Sequence, residues 1–173
     1  MVARLRARLL QESTAAQSGA DHYDAVILLG GTNDLWRCDP AAVAAKMCEC
    51  HDVARAALPD AAIGVCTVPR WNPGVVQWFD FMNFESKVEA GRARLNELLR
   101  EHAEQMGPAG FVVELADALD PTMTDANDCT VAAGCGDGIH FSLRGYERVG
   151  RIIAEALTEH DNKKFVAVMP PKS

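Results

Sequence analysis

The chain has no apolar run approaching the roughly 20 residues that a membrane-spanning helix requires. It has no excess of positive charge either: Lys and Arg total 17 against 24 Asp and Glu, for a net charge of −7. The first absence excludes a helical span. The second removes the basic footprint that phosphate backbones and anionic membranes demand, so nucleic acid is not an expected partner. There is no G-x-G-x-x-G turn and no Walker-type glycine loop with its lysine, so the phosphate-binding turns of nucleotide sites are missing. Internal repeats and low-complexity segments are absent too. The opening residues Met1 to Leu10 are basic and amphipathic but lack the apolar h-region of a secretory signal. Val2, Leu5 and Leu9 at helical spacing predict an ordinary domain helix there. Serine is scarce, at Ser13, Ser18, Ser86, Ser142 and Ser173 only.

What remains is the composition of an ordinary globular protein. The 173 residues are 49% hydrophobic and 24% charged. That length suits one domain burying about 70% of its unfolded surface, and it is short for two. Six cysteines make an even count, but the chain is not a small disulfide scaffold. Cys48 and Cys50 fall in a helical stretch, where i,i+2 positions point apart, so they do not chelate one ion together; a metal cluster with His51 is the weaker alternative, and the cysteines are expected to be buried on the helix. Cys129 and Cys135 share one Gly-rich loop and could bridge in an oxidising compartment. The sequence assigns no compartment.

Residues 2–12 read as a helix. Ala25 to Leu29 is a continuous apolar run stopped by Gly30-Gly31, as expected of a strand in a parallel sheet covered on both faces. Asp39-Pro40 predicts a helix start, with Asp as N-cap and Pro at the first helical position, and Pro59 stops that helix after Ala57. Ala62 to Val68 is a second buried strand ended by Pro69. An aromatic-rich loop follows, with Arg70, Trp71, Trp78, Phe79 and Phe81, then Phe84; it either walls an acyl or sugar pocket or packs onto the core. Asn83 or Ser86 caps a helix running to Met106, and Phe111 to Leu115 is a third strand. Asp120 to Phe141 reads as a loop, and Ser142 as the N-cap of a last helix through Leu157. The domain is expected over 1–160, with 161–173 as a tail over the surface. This α-β-α-β-α-β-α order implies parallel strands joined by right-handed crossovers, hence a three-layer α/β/α sandwich.

Two short blocks carry the chemistry. In open parallel sheets, sites form beyond the carboxyl ends of the strands, and Gly30-Gly31-Thr32-Asn33-Asp34 lies at such an end. Its glycines allow a sharp turn from which the Asn33 amide projects as a hydrogen-bond donor. Alternatively, Asn33 or Asp34 closes an Asx turn on local backbone. Asp137-Gly138-Ile139-His140 leads into the last helix. There a histidine can take a proton from a hydroxyl nucleophile and pass it to the leaving group, while a carboxylate fixes its tautomer.

Together these blocks, with Phe141-Ser142 and Gly145-Tyr146 completing the second, resemble the SGNH (GDSL-type) hydrolase family over residues 1–158. The resemblance implies a flavodoxin-like α/β/α fold with a five-stranded parallel sheet in order 2-1-3-4-5. It also implies an esterase or lipase acting on a small-molecule ester through a serine acyl-enzyme, without metal or organic cofactor. Asn33 would be an oxyanion-hole donor with Gly31 as its glycine, and Asp137 and His140 the carboxylate and base. Family members also begin with a strand ending in Gly-Asp-Ser, whose serine is the nucleophile, followed by a second block with an oxyanion glycine. Neither precedes Gly31 here. Ser13 and Ser18 precede a strand, Ser86 starts a helix, Ser142 caps one and Ser173 ends the chain, so no serine stands in. The first two strands are therefore expected to be missing and Ala25–Leu29 to be an exposed edge. The chain is expected to be the C-terminal part of a longer hydrolase, inactive by itself. The alternatives are a short form that dimerises through that edge, a pseudoenzyme or interaction module retaining the fold, and a flavodoxin-like binder of a small ligand.

Overall fold

The computed structural model describes residues 23–70, 84–119 and 140–168 (side chains of 84–86 and 164–168 excepted), with Ala3, Leu5 and Ala7 as isolated helical positions near the start. Along these residues run β1 (Ala25–Leu28), α1 (Pro40–Ala57), β2 (Ala62–Cys66), α2 (Phe84–Gln105), β3 (Gly110–Val113), α3 (Leu115–Ala118) and α4 (Leu143–Val168). The strands form one parallel sheet in the order β1-β2-β3, with Ala25 opposite Ala62 and Leu28 opposite Val65. This is the α/β architecture that the alternating pattern implies. The chain divides into two compact units, Met1–Val68 with Ser86–Val112, and Pro69–Glu85 with Val113–Ser173.

Local chemistry sets the ends of α1. The Asp39 carboxylate accepts from the Ala41 and Ala42 amides at 2.8 and 3.4 Å, and Pro40 occupies the first turn. At the other end the Leu58 amide closes on the Ala54 carbonyl just before Pro59. The buried face, Val43, Ala44, Met47, Cys50, His51 and Ala54, recurs at three- and four-residue intervals and packs on β2. On α2 the buried positions Val88, Leu95, Asn96, Leu99 and Ala103 follow the same period.

β2 is the centre of the first unit, and all five of its residues are buried. A Cβ at Gly64 would lie 2.5 Å from Ile27 Cδ1 and 3.0 Å from Phe111 Cζ. The small residue on the middle strand thus leaves room for two large side chains from its neighbours to close over it. In the second unit, Leu115, Leu119 and Val149 are buried, and α3 meets α4.

β1 is apolar throughout, and all four of its residues are only half-buried, because β1 is an edge of the described sheet, the place expected of Ala25–Leu29. Two elements differ from the sequence pattern. The third strand ends at Val113, and Leu115, expected at its end, starts α3. A helical turn buries Leu115 and Ala116 together, whereas strand alternation would turn one outward. The last helix continues past Leu157 to Val168, so 161–168 are helical. The Thr158 hydroxyl bonds back to the Ala154 carbonyl at 2.7 Å and does not interrupt the helix. The expected loops 71–83 and 120–139, including Cys129 and Cys135, and the prolines of 169–173 lie outside the described residues, as does most of the first helix.

Candidate active site

Gly31 turns the chain at the carboxyl end of β1 with φ +95°, a conformation that glycine adopts at little steric cost. Its carbonyl accepts from the Asp34 and Leu35 amides at 3.1 and 3.3 Å, and the Asp34 carbonyl accepts from Arg37 and Cys38. The turn is also tightly enclosed. A Cβ at Gly31 would stand 3.1 Å from both Leu95 Cδ2 and Val43 Cγ1. Gly31→Ala therefore combines left-handed strain with overpacking, and a loss of about 1–3 kcal/mol in urea unfolding is expected. A neutral result would mean that this turn relaxes freely.

Asn33 sits on the outer part of the turn, exposed, and its amide makes no hydrogen bond among the described residues. The Asp34 side chain is exposed and likewise makes none there. Among the described residues, then, neither side chain closes an Asx turn, and the Asn33 N–H groups are available to a ligand.

Beside this turn, at the same edge of the sheet, the end of β2 is held by side chains that sequence reasoning missed. The Val68 amide donates to Asn96 Oδ1 at 2.7 Å, and Asn96 Nδ2 donates back to the Val68 carbonyl at 3.0 Å. Arg92 Nη1 donates to the same carbonyl at 3.0 Å, while its other nitrogens engage the Glu89 carboxylate. Val68 is thus fixed where the long loop departs, and its side chain reaches the Gly31 turn. The available signal was Asn96 lying on the apolar face of α2 beside Leu95 and Leu99.

His140 opens the last described segment and is exposed. Two residues on, the Ser142 hydroxyl accepts from the Gly145 amide at 3.0 Å and the Ser142 carbonyl from Tyr146 at 2.9 Å, so Ser142 is the N-cap of α4 as its sequence position implies. Phe141 packs edge-to-face on Tyr146 at 5.5 Å. Gly31 and Asn33 belong to the first unit and His140 to the second; Asp137 lies outside the described residues. Among the described residues, Cys48, Cys50 and Cys66 offer no activated replacement nucleophile. Burial pushes the Cys48 and Cys50 thiols up and the Cys66 thiol up to about 12, so they stay protonated and unreactive.

The sequence pattern of the GDSL-like lipase/acylhydrolase family matches residues 2–148. The chain belongs to this family. The fold is also found in solved structures that the chain resembles. One is described as a platelet activating factor from Streptococcus pneumonia, at 19% identity and a TM-score of 0.58, over 76% of this chain and 58% of that one. Another is a peptidoglycan O-acetylesterase, at 23% identity and a TM-score of 0.56, over 85% of this chain and 39% of that one. The chain therefore spans less than two thirds of the length of either neighbour. No curated protein matches it.

Proposed function

We propose that this chain carries the oxyanion-binding and proton-transfer parts of a serine acylhydrolase site. Asn33 donates to the oxyanion that develops when a hydroxyl attacks an ester carbonyl, and Gly31 gives the loop the shape that presents it. His140 takes the proton from the nucleophile and returns it to the departing alcohol, with Asp137 orienting the imidazole. Water then repeats the sequence on the acyl-enzyme. A preorganised donor of this kind contributes about 3–4 kcal/mol to transition-state stabilisation. The observation that carries the proposal is the Gly31 turn, which leaves Asn33 exposed at the carboxyl end of a parallel strand with its amide unengaged among the described residues. The substrate class is a small-molecule ester.

By sequence pattern Ser13 and Ser18 precede the Ala25–Leu29 strand and do not follow one, and on this reading the nucleophile is not supplied by either. The chain alone is expected to hydrolyse a p-nitrophenyl ester no faster than its His140→Ala variant. Turnover that disappears in His140→Ala would show that the chain finds a nucleophile of its own. Reading the transcript upstream of Met1 is the companion test. An in-frame Gly-Asp-Ser strand there supports the hydrolase, whereas an immediate in-frame stop favours a non-catalytic module.

A further inference from the structure

Two histidines outside this site face each other inside the first unit. His51 lies on α1 and His102 in the last turn of α2; their ring centroids are 5.3 Å apart and their planes 25° from parallel. His51 is 0% exposed, and among the described residues neither of its ring nitrogens has a hydrogen-bond partner; His102 Nε2 is likewise buried without one. A neutral imidazole carries one donor and one acceptor, and native interiors rarely leave either unmatched.

The candidate occupants of such a pair are a metal ion and a proton. A metal held in the interior needs more ligands than two imidazoles, and among the described residues no three His, Cys, Asp or Glu side chains come together to supply them. The proton fits the surroundings better. From α1 the charged groups acting on the pair are Asp52, which is more than half exposed and drawn to Arg55 at 3.8 Å, and Arg55 itself. From β2 the titratable side chain is the neutral thiol of Cys66. Glu101 and Glu104 flank His102 on α2 but are exposed. No buried carboxylate among the described residues stands ready to pair with an imidazolium; exposed Asp52 attracts one, but burial first, and for His51 the neighbouring ring second, oppose the charge.

We propose that His51 and His102 form an acid-sensitive latch: neutral, they pack α1 against α2; protonated, they open that seam. The consequence reaches the candidate site because the same helices build it. Val43 lies eight residues before His51, about 12 Å along α1, and Leu95 and Asn96 lie one to two turns before His102. Val43 and Leu95 enclose the Gly31 turn, and Asn96 holds Val68. Opening the seam therefore loosens the turn that presents Asn33.

The direction of the effect follows from where protons bind. Burial first, and the neighbouring His102 second, lower the His51 pKa from 6.5 to about 4; burial lowers His102 as well. Between those values the unfolded chain binds a proton that the folded one refuses. Stability is complete above pH 6.5 and is lost as the pH falls towards 4, by up to about 300-fold in the unfolding equilibrium constant from His51 alone.

The test is urea unfolding of the full chain from pH 7 to pH 4, for the wild type and for His51→Phe, with amide exchange protection followed in parallel at Leu35, which is bonded to the Gly31 carbonyl, and at Val68. His51→Phe is expected to flatten the pH dependence by one to two orders of magnitude and to retain protection at pH 5, where the wild type loses it. Equal pH profiles in the two proteins overturn the latch. If His51→Phe does not fold, imidazole NMR of the wild type decides: a His51 midpoint below 5 supports the proposal and one near 6.5 overturns it. A rise in melting temperature on adding Zn²⁺ at pH 7, absent in His102→Ala, would also overturn it in favour of a metal.

Discussion

Ile63→Ala is expected to lower the unfolding free energy by about 2–5 kcal/mol, towards the upper end of the range for a buried isoleucine. Ile63 is 0% exposed on the middle strand of the sheet, with α1 packed against β2. The lost methyl and methylene groups leave a cavity that neighbours on fixed strands cannot collapse into. Against a total stability of about 5–15 kcal/mol, the variant is expected to be marginal at 37 °C. Urea midpoints at unchanged m-value measure it. Ile27→Ala, one strand away and on the opposite face of the sheet, is the edge-strand comparison. Its side chain closes over Gly64, but β1 is half-buried, so its loss is expected to be under half that of Ile63→Ala. Equal costs would mean that β1 is as well covered in solution as β2.

Asn96→Ala is expected to cost about 2–4 kcal/mol, more than its volume alone explains. Asn96 is 2% exposed, and both ends of its amide pair with the Val68 backbone. Removing it leaves the buried Val68 amide without an acceptor, at about 1–3 kcal/mol, and adds a small cavity. The Val68 carbonyl keeps Arg92, so the loss is concentrated on the donor side. Asn96→Asp separates the two bonds, because the carboxylate still accepts from the amide but sets a second oxygen against the carbonyl. At neutral pH it is expected to be no more stable than Asn96→Ala, and to recover as acid protonates it. If Asn96→Ala costs less than 1 kcal/mol, water replaces the amide and Val68 is not fixed by this side chain.

Much of this architecture was legible because its signals are local. Asp39-Pro40 sets the start of α1, Ser142 caps α4, and Ala62–Cys66 is apolar enough to be buried wherever it lies. Gly30-Gly31 marked the turn at the end of β1. Other features depend on what lies across space. β1 is as apolar as β2, and only its place at the edge of the described sheet, the place expected of Ala25–Leu29, leaves it half-exposed. Leu115 is as buried as a strand residue would be, but it enters the interior from a helical turn. Polar residues on apolar helix faces were the least legible. Nothing in the sequence distinguishes Asn96, which grips Val68, from His51, whose ring nitrogens are unpartnered among the described residues.

The sequence by itself determined the family, the alternation of strand and helix, the helix caps and the identities of Gly31, Asn33, Asp137 and His140 as candidate site residues. Each of these follows from short-range patterns of residue type and spacing. The tertiary structure decided how tightly Gly31 is enclosed by Val43 and Leu95, what anchors Val68, and that two distant histidines share one buried space. Those outcomes depend on contacts between residues tens of positions apart, and burial, not residue type, sets their energy.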